Sequence, residues 1–509
     1  MTFDSKSLVT GAAIFGTIFV GIIVAISITT NATGGLAALI PLFTVILTVL
    51  ALVNPRAGLF GLAALVIWVD QFKRLAVYYG GAYSTTVMQT LAMPLIVLAA
   101  LNCGFLLNLM FRKASIDRLG IFIYAIGGIV GGFVFITMEA SLPERVQRAA
   151  NIAGYITLIP IAISYMKTFE EWRKFFAFQV LVALPAAAWA IKQYYYGFDQ
   201  IEWTYARSGL SPVHTGQMLM FVNPRTFGFF GSASALGCAG MYCAFSWWQT
   251  LRFPKRRFLW LAASLILTWA LVVSTQRTIL LYPLIVLIAA YFYRTKLRTA
   301  ALYATAGLTL LLGIINSTYL LNEGLERINT AIASDTAWGS EVLRVSTFSD
   351  RLRGWERLTR LESYSLIGTG TKGGGYDDGN VYRNHDLINK ILIDYGIVGV
   401  LAVMIAGGFV IYGLHSTVIS QKNYQDRKDS AFALALSLPM ILMSFLGGDN
   451  FNTNPINLQI WTSFVGVLVV RKQLQREKLF HRKVAIQSAA ISSPPPQLAH
   501  PARKMRAGA

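Results

Sequence analysis

Acidic residues are scarce in this chain, with 24 Asp and Glu against 44 Lys and Arg over 509 residues, and charged residues of either sign reach only 13%. With a mean hydropathy of +0.53, that composition excludes an ordinary soluble domain, whose charged share is about 25%. Cysteine is also rare. Cys103, Cys238 and Cys243 all fall inside apolar runs, so neither a disulfide framework nor a metal-ligand spacing is present. The polar/apolar alternation that a membrane barrel needs is missing. So is an internal repeat of the kind many transporters carry.

What fills the chain is long apolar runs, each long enough to cross about 30 Å of hydrocarbon as a helix. Leu8 to Ile28 is the first; no small-residue cleavage site follows closely, so it reads as a retained helix. Further spans are expected near 36–53, 57–72, 85–110, 119–138, 149–166, 175–196, 229–250, 258–275, 278–293, 300–316, 396–414, 431–447 and 456–470. The fold class that follows is an all-α polytopic membrane protein of about 14 transmembrane helices. Its membrane domain is expected over 1–470, with a long outward loop at 317–395 containing short helices.

The net charge of +20 could point to nucleic acid, but its position argues otherwise. After Val470 nine Lys or Arg stand against Glu477 alone, so residues 471–509 read as a basic, disordered cytoplasmic tail, with Ser492, Ser493 and Pro494 to Pro496 marking the disorder of its end. Counting back from the tail, the inward loops carry Lys422, Arg427 and Lys428; Arg294, Lys296 and Arg298; Arg252, Lys255, Arg256 and Arg257; Lys167, Arg173 and Lys174; and Arg112, Lys113 and Arg118. That is the positive-inside pattern. Lys73 with Arg74, and Arg145 with Arg148, depart from it. Three polar regions then face outward: 197–228 with Arg225, the tight turn at Gln276 and Arg277, and 317–395.

A loop of that length between membrane helices is seldom a plain connector. Within it Ser349 to Glu362 fits a helix with Leu352, Trp355 and Leu358 on one face and Arg353, Arg357 and Arg360 on the other. Arg351 projects among the apolar side chains, where a guanidinium needs an anionic partner. Next, Ile367 to Gly375 is a glycine-rich turn through Gly368 and Gly370. It lacks the preceding strand and the Gly-Lys-Ser/Thr order of a phosphate-binding P-loop. Asn384 or its predecessor then caps a helix in which His385 occupies the first turn, and Gly396 marks a bend into the next span. The positive end of a helix dipole disfavours imidazolium there, and neutral imidazole is the form a general base requires. Arg225 and Arg277 read either as interfacial anchors or, with Arg351, as a ring of guanidiniums gripping a diphosphate.

In order, Arg351 lies four residues before Trp355, Gly368-Thr369-Gly370 follows thirteen residues after that tryptophan, and His385 lies eleven residues before Gly396. Upstream stand Arg225-Thr226-Phe227-Gly228-Phe229-Phe230-Gly231 and Ser274-Thr275-Gln276-Arg277. This ordered set resembles the bacterial O-antigen ligase and O-antigen or exopolysaccharide polymerase superfamily, over roughly Arg225 to Val470. It departs in having His385-Asp386 where the family often has His-Asn, and Ala233-Ser234 where it often has Pro-Asn.

The resemblance implies a membrane glycosyltransferase of the bacterial inner membrane, with both termini cytoplasmic and its site periplasmic. It would transfer a glycan from a polyprenyl diphosphate to an acceptor sugar hydroxyl without metal or other cofactor. His385 would remove or orient the acceptor proton; Arg225, Arg277 and Arg351 would hold the diphosphate. Asp386, Asn384, Trp355, Gly368 and Gly370 would contact acceptor or support the site. Direct displacement would invert the anomeric carbon, and the paired carboxylates of a retaining glycosidase are not evident. The large outer loop favours a polymerase; a ligase acting on lipid A core is the alternative. The partners implied are donor, acceptor, membrane lipid, a flippase and a chain-length protein, with no nucleic acid. A lipid-linked oligosaccharide flippase is the competing class, and it calls for charges near mid-membrane.

Overall fold

The computed structural model describes residues 32–82, 84–137, 141–208, 210, 226–230, 236, 239–252, 256–274, 366, 396–401, 412, 415–416, 418–419, 427–436 and 456–492. Among these the regular structure is helical and contains no strand. The long helices are α1 (Ala32–Val53), α2 (Pro55–Gly80), α3 (Thr85–Met110), α4 (Arg118–Thr137), α5 (Leu142–Tyr165) and α6 (Phe169–Tyr196). The short α7 (Gln200–Arg207) follows, then α8 (Ala239–Arg252), α9 (Arg257–Val273) and α10 (Ile456–Ser492). Helices α3, α4, α5 and α6 are each long and apolar enough to cross a membrane. The expected first span at 8–28 and those at 278–293 and 300–316 lie outside the described residues, as does nearly all of the 317–395 loop.

Sequence chemistry sets the boundaries. Asn54 caps α2, its side chain accepting from the Ala57 amide at 3.2 Å, and Pro55 fills the first helical position where its missing N–H costs nothing. Thr168 caps α6, and Glu170 and Glu171 sit in its first turn, against the positive end of the helix dipole. Pro41, Pro94, Pro160 and Pro185 lie inside helices, tolerated where neighbouring helices rather than water surround the backbone.

Helix α6 is central and packs against α2, α8, α9 and α10. An aromatic seam joins these elements: Trp172 and Phe176 of α6 meet Phe245 of α8, which reaches Trp260 of α9. Helices α1, α2 and α3 form a second group, and α4 lies outside α5. Large apolar side chains cover the outer surface, among them Ile129 at 71% and Phe258 at 86% exposure, as expected of a bundle whose solvent is hydrocarbon.

Polar pairs connect helix ends. Arg56 meets Glu171 at 3.1 Å, Arg173 donates to Gln249 at 2.8 Å, Arg252 lies 3.5 Å from Asp429, and Lys472 lies 3.6 Å from Asp117. These pairs join ends that the charge pattern assigns to one side. The opposite end carries Asp70, Lys73, Arg74, Lys192, α7 and Thr226–Phe230.

Two expectations change. The span expected at 229–250 does not begin at Phe229; Gly228 and Phe229 form a turn, with Gly228 at φ +58°, and helix is described at Leu236 and over α8. The tail expected to be disordered from 471 is helical to Ser492, because Gln, Arg, Glu, Lys, Leu and Ala dominate and no Gly or Pro occurs before Pro494. The expected bend at Gly396 is present as φ +68°.

Candidate functional site

Arg225, Arg277, Arg351 and His385, with Asn384, Asp386, Trp355, Gly368 and Gly370, lie outside the described residues. Their flanks are described in three places. Thr226–Phe230 follows Arg225 directly and is fixed at the end of the bundle that carries Arg74 and α7. Ser274, three residues before Arg277, caps α9 at that same end, its hydroxyl donating to the Leu271 carbonyl at 2.8 Å. Leu366, two residues before Gly368, accepts from the Val398 amide at 3.2 Å, so the residue just before the glycine-rich stretch is tied to the segment that follows His385 in the chain.

The Thr226–Phe230 turn is held by a clamp built from three elements. Arg74, fully buried near the end of α2, donates to the Gly228 carbonyl at 2.5 Å and to the Phe230 carbonyl. Its guanidinium lies over the Phe227 ring at 4.4 Å, so the planar fork satisfies two carbonyls while stacking on an aromatic face. Gln193 of α6 completes the grip, its Oε1 accepting from the Phe227 amide at 3.0 Å and the Gly228 amide at 2.8 Å. Its amide nitrogen donates to Glu202 and to the Gly228 carbonyl. Gly228 is required twice over: φ is +58°, and a Cβ there would sit 2.0 Å from the Ala186 carbonyl oxygen.

Glu202 anchors the clamp from below. It belongs to a capping box, with the Asp199 side chain accepting from the Glu202 amide at 3.0 Å and Glu202 Oε2 accepting from the Asp199 amide at 2.8 Å. Trp189 donates its indole N–H to Glu202 Oε1 at 2.7 Å. Burial first, and then the Asp199 carboxylate, push the Glu202 carboxyl above its ordinary range, against the hydrogen bonds from Gln193, the Asp199 backbone and Trp189. Burial likewise raises the Tyr205 phenol.

The charges here balance. Lys73 pairs with Asp70 at 2.8 Å, Lys192 lies 3.9 Å from Asp199, and buried Arg74 shares its surroundings with buried Glu202. A compensated cluster of this kind holds backbone in place; it leaves no surplus positive charge for an anion. It also accounts for one departure from the positive-inside pattern, since Lys73 and Arg74 are neutralised within the fold. The sequence reading missed Arg74, Gln193 and Glu202. Two of the three carry a signal of their own, Arg74 in an acid followed by Lys-Arg three and four residues on within an apolar helix, and Glu202 in the Asp199…Glu202 capping pair; nothing in the sequence marks Gln193. Among the described residues no group of three His, Cys, Asp or Glu could hold a metal. No family model, curated protein or solved structure matches the chain.

Proposed function

We propose that the protein is a membrane glycosyltransferase that moves a glycan from a polyprenyl diphosphate to a sugar hydroxyl at the periplasmic face of a bacterial inner membrane, in a bundle of about 14 spans. The observation that supports this reading is the anchored turn at Thr226–Phe230, which fixes the backbone immediately after Arg225 at the end of the bundle that also carries Ser274, three residues before Arg277 in the chain. Functional side chains on loops need such a rigid base. In the reaction, the acceptor oxygen forms a bond to the anomeric carbon as the bond from that carbon to the phosphate oxygen breaks. His385 takes the acceptor proton, and the electron pair leaves with the polyprenyl diphosphate. Arg225, Arg277 and Arg351 meet the negative charge that develops there. Attack opposite the leaving group inverts the anomeric carbon. The acceptor in this reading is another lipid-linked repeat, which makes the protein a polymerase; transfer to lipid A core would make it a ligase.

The test is glycan length on gels from a strain lacking the gene, complemented with wild type, His385→Ala or Arg277→Ala at matched membrane levels. Long chains with wild type and single repeats with the variants support a polymerase. Long lipid-linked polymer accumulating in the null strain supports the ligase. Full complementation by both variants overturns the assignment of His385 and Arg277.

A further inference from the structure

Helices α6 and α10 run antiparallel. The Phe169 amide donates to Gln473 at 3.4 Å, and three residues on Trp172 donates its indole N–H to the Thr462 carbonyl at 2.8 Å, so α10 descends as α6 rises. The helices meet where Gly466 lies flat on Trp172; a Cβ on Gly466 would come within 2.5 Å of the indole. Seven residues of helix are about 20° short of two full turns and rise about 10 Å. Gln179 stands seven residues after Trp172, and Gln459 seven residues before Gly466. Both glutamines therefore lie on the facing stripes at one level. That level is about 15 Å from the start of α6 and about 6 Å inside the apolar run that begins at Phe175.

Both side chains are fully buried. Tyr242 of α8 donates to Gln179 Oε1 at 3.2 Å. Gln179 Nε2 has no hydrogen-bond partner in the protein, and neither amide atom of Gln459 has one. Two complementary amides thus face each other across a helix interface without bonding. Each unpaired buried group costs about 1–3 kcal/mol, a penalty too large for three atoms at one place unless something meets them. Among the described residues the nearby stretches 175–191, 239–251 and 456–470 contain no charged residue, which favours an uncharged ligand. It must accept from Gln179 Nε2 and Gln459 Nε2 and donate to Gln459 Oε1. Three bonds of that mixed kind are what a buried water molecule ordinarily makes.

We propose that Gln179 and Gln459, with Tyr242 fixing the Gln179 amide, form an intramembrane water-binding site that joins α6 to α10. It is independent of the glycosyltransferase reading. The test uses full-length protein in phosphatidylcholine nanodiscs. With water bound, Gln179→Leu and Gln459→Leu each lower Tm, and the double variant lowers it no further than the worse single one. With the site dry, removing unpaired amides raises Tm and the effects add, which overturns the proposal. Gln459→Met, closer to glutamine in volume, separates packing from hydrogen bonding and should also lower Tm. Independently, solid-state NMR should give a magnetisation-transfer peak from water to the Gln459 side-chain amide, lost in Gln179→Leu. Absence of that peak in wild type, or its survival in Gln179→Leu, refutes the shared site.

Discussion

Replacing Arg74 by methionine tests the clamp directly. The substitution keeps an unbranched apolar stem that can still lie against Phe227 and removes the guanidinium that holds the Gly228 and Phe230 carbonyls. Hydrogen bonds from a charged donor contribute about 1.5–3 kcal/mol each. Glu202, 2% exposed, also loses a nearby positive charge, and breaking buried compensation costs about 3–5 kcal/mol when the remaining charge has no other partner. Gln193, Trp189 and the Asp199 amide still bond Glu202, so that second cost largely falls away, and the two carbonyl bonds at their lower end leave the turn about 3 kcal/mol less stable. Each 1.4 kcal/mol is about tenfold in an equilibrium. The amides of Phe227 and Gly228, both bonded to Gln193, should then exchange with solvent about 10²-fold faster, read by hydrogen–deuterium exchange on nanodisc-embedded protein. Peptides from α3 and α4, which take no part in the clamp, should not change. Unaltered exchange at 226–230 would refute the clamp, and acceleration throughout the bundle would show that Arg74 serves global folding instead.

Gly228→Ala should disrupt the same turn from the other side: the left-handed backbone costs about 1–2 kcal/mol, and the Cβ meets the Ala186 carbonyl oxygen at 2.0 Å. The expected outcome is lost monodisperse protein on size exclusion, or the same local exchange if the protein survives. Glu202 gives a pH test. Its folded-state pKa is raised above the ordinary 4.5, so the stability linked to it is full below that value and declines as pH rises through the folded pKa. Glu202→Gln removes that component, and the Tm difference, wild type minus variant, should fall with rising pH in that window; a constant difference would sink the assignment. Gly466→Leu should destabilise the fold by about 1–3 kcal/mol through overpacking against Trp172, read as a lower Tm.

Much of the helical framework was legible because apolar run length is a local signal. The run read at 85–110 is α3, and those at 36–53, 175–196 and 258–275 match α1, α6 and α9 within a few residues. Boundaries failed where something other than hydropathy decides them. Phe229 is as apolar as a span residue, yet Gly228 turns the chain before it. Beyond Val470 the residues are too polar for lipid but suit a helix, so hydropathy ended the span where the helix continues. The clamp was not legible for a different reason. Arg74 bonds carbonyls 154 and 156 residues away, and no spacing within one element encodes that. In sequence Arg74 was only a charge on the unexpected side.

That misplaced charge bears on how the proposed site would be held. Its four members come from three separate loops, and displacement of a reacting group by about 1 Å can cost about 10²-fold in rate. Each loop therefore needs its own fastening to the bundle. The described flanks carry such fastenings: Arg74 and Gln193 at the turn after Arg225, the Ser274 cap before Arg277, and the Leu366–Val398 hydrogen bond between the residue before the glycine-rich stretch and the segment that follows His385. Only the first is buried and ionic, and its charges are internally compensated. Spending Arg74 on backbone carbonyls, with Glu202 beside it, keeps the described contacts of the turn after Arg225 internally compensated. In the proposed reading, an arginine directly preceding such a rigid turn is suited to meet an anion brought by a substrate.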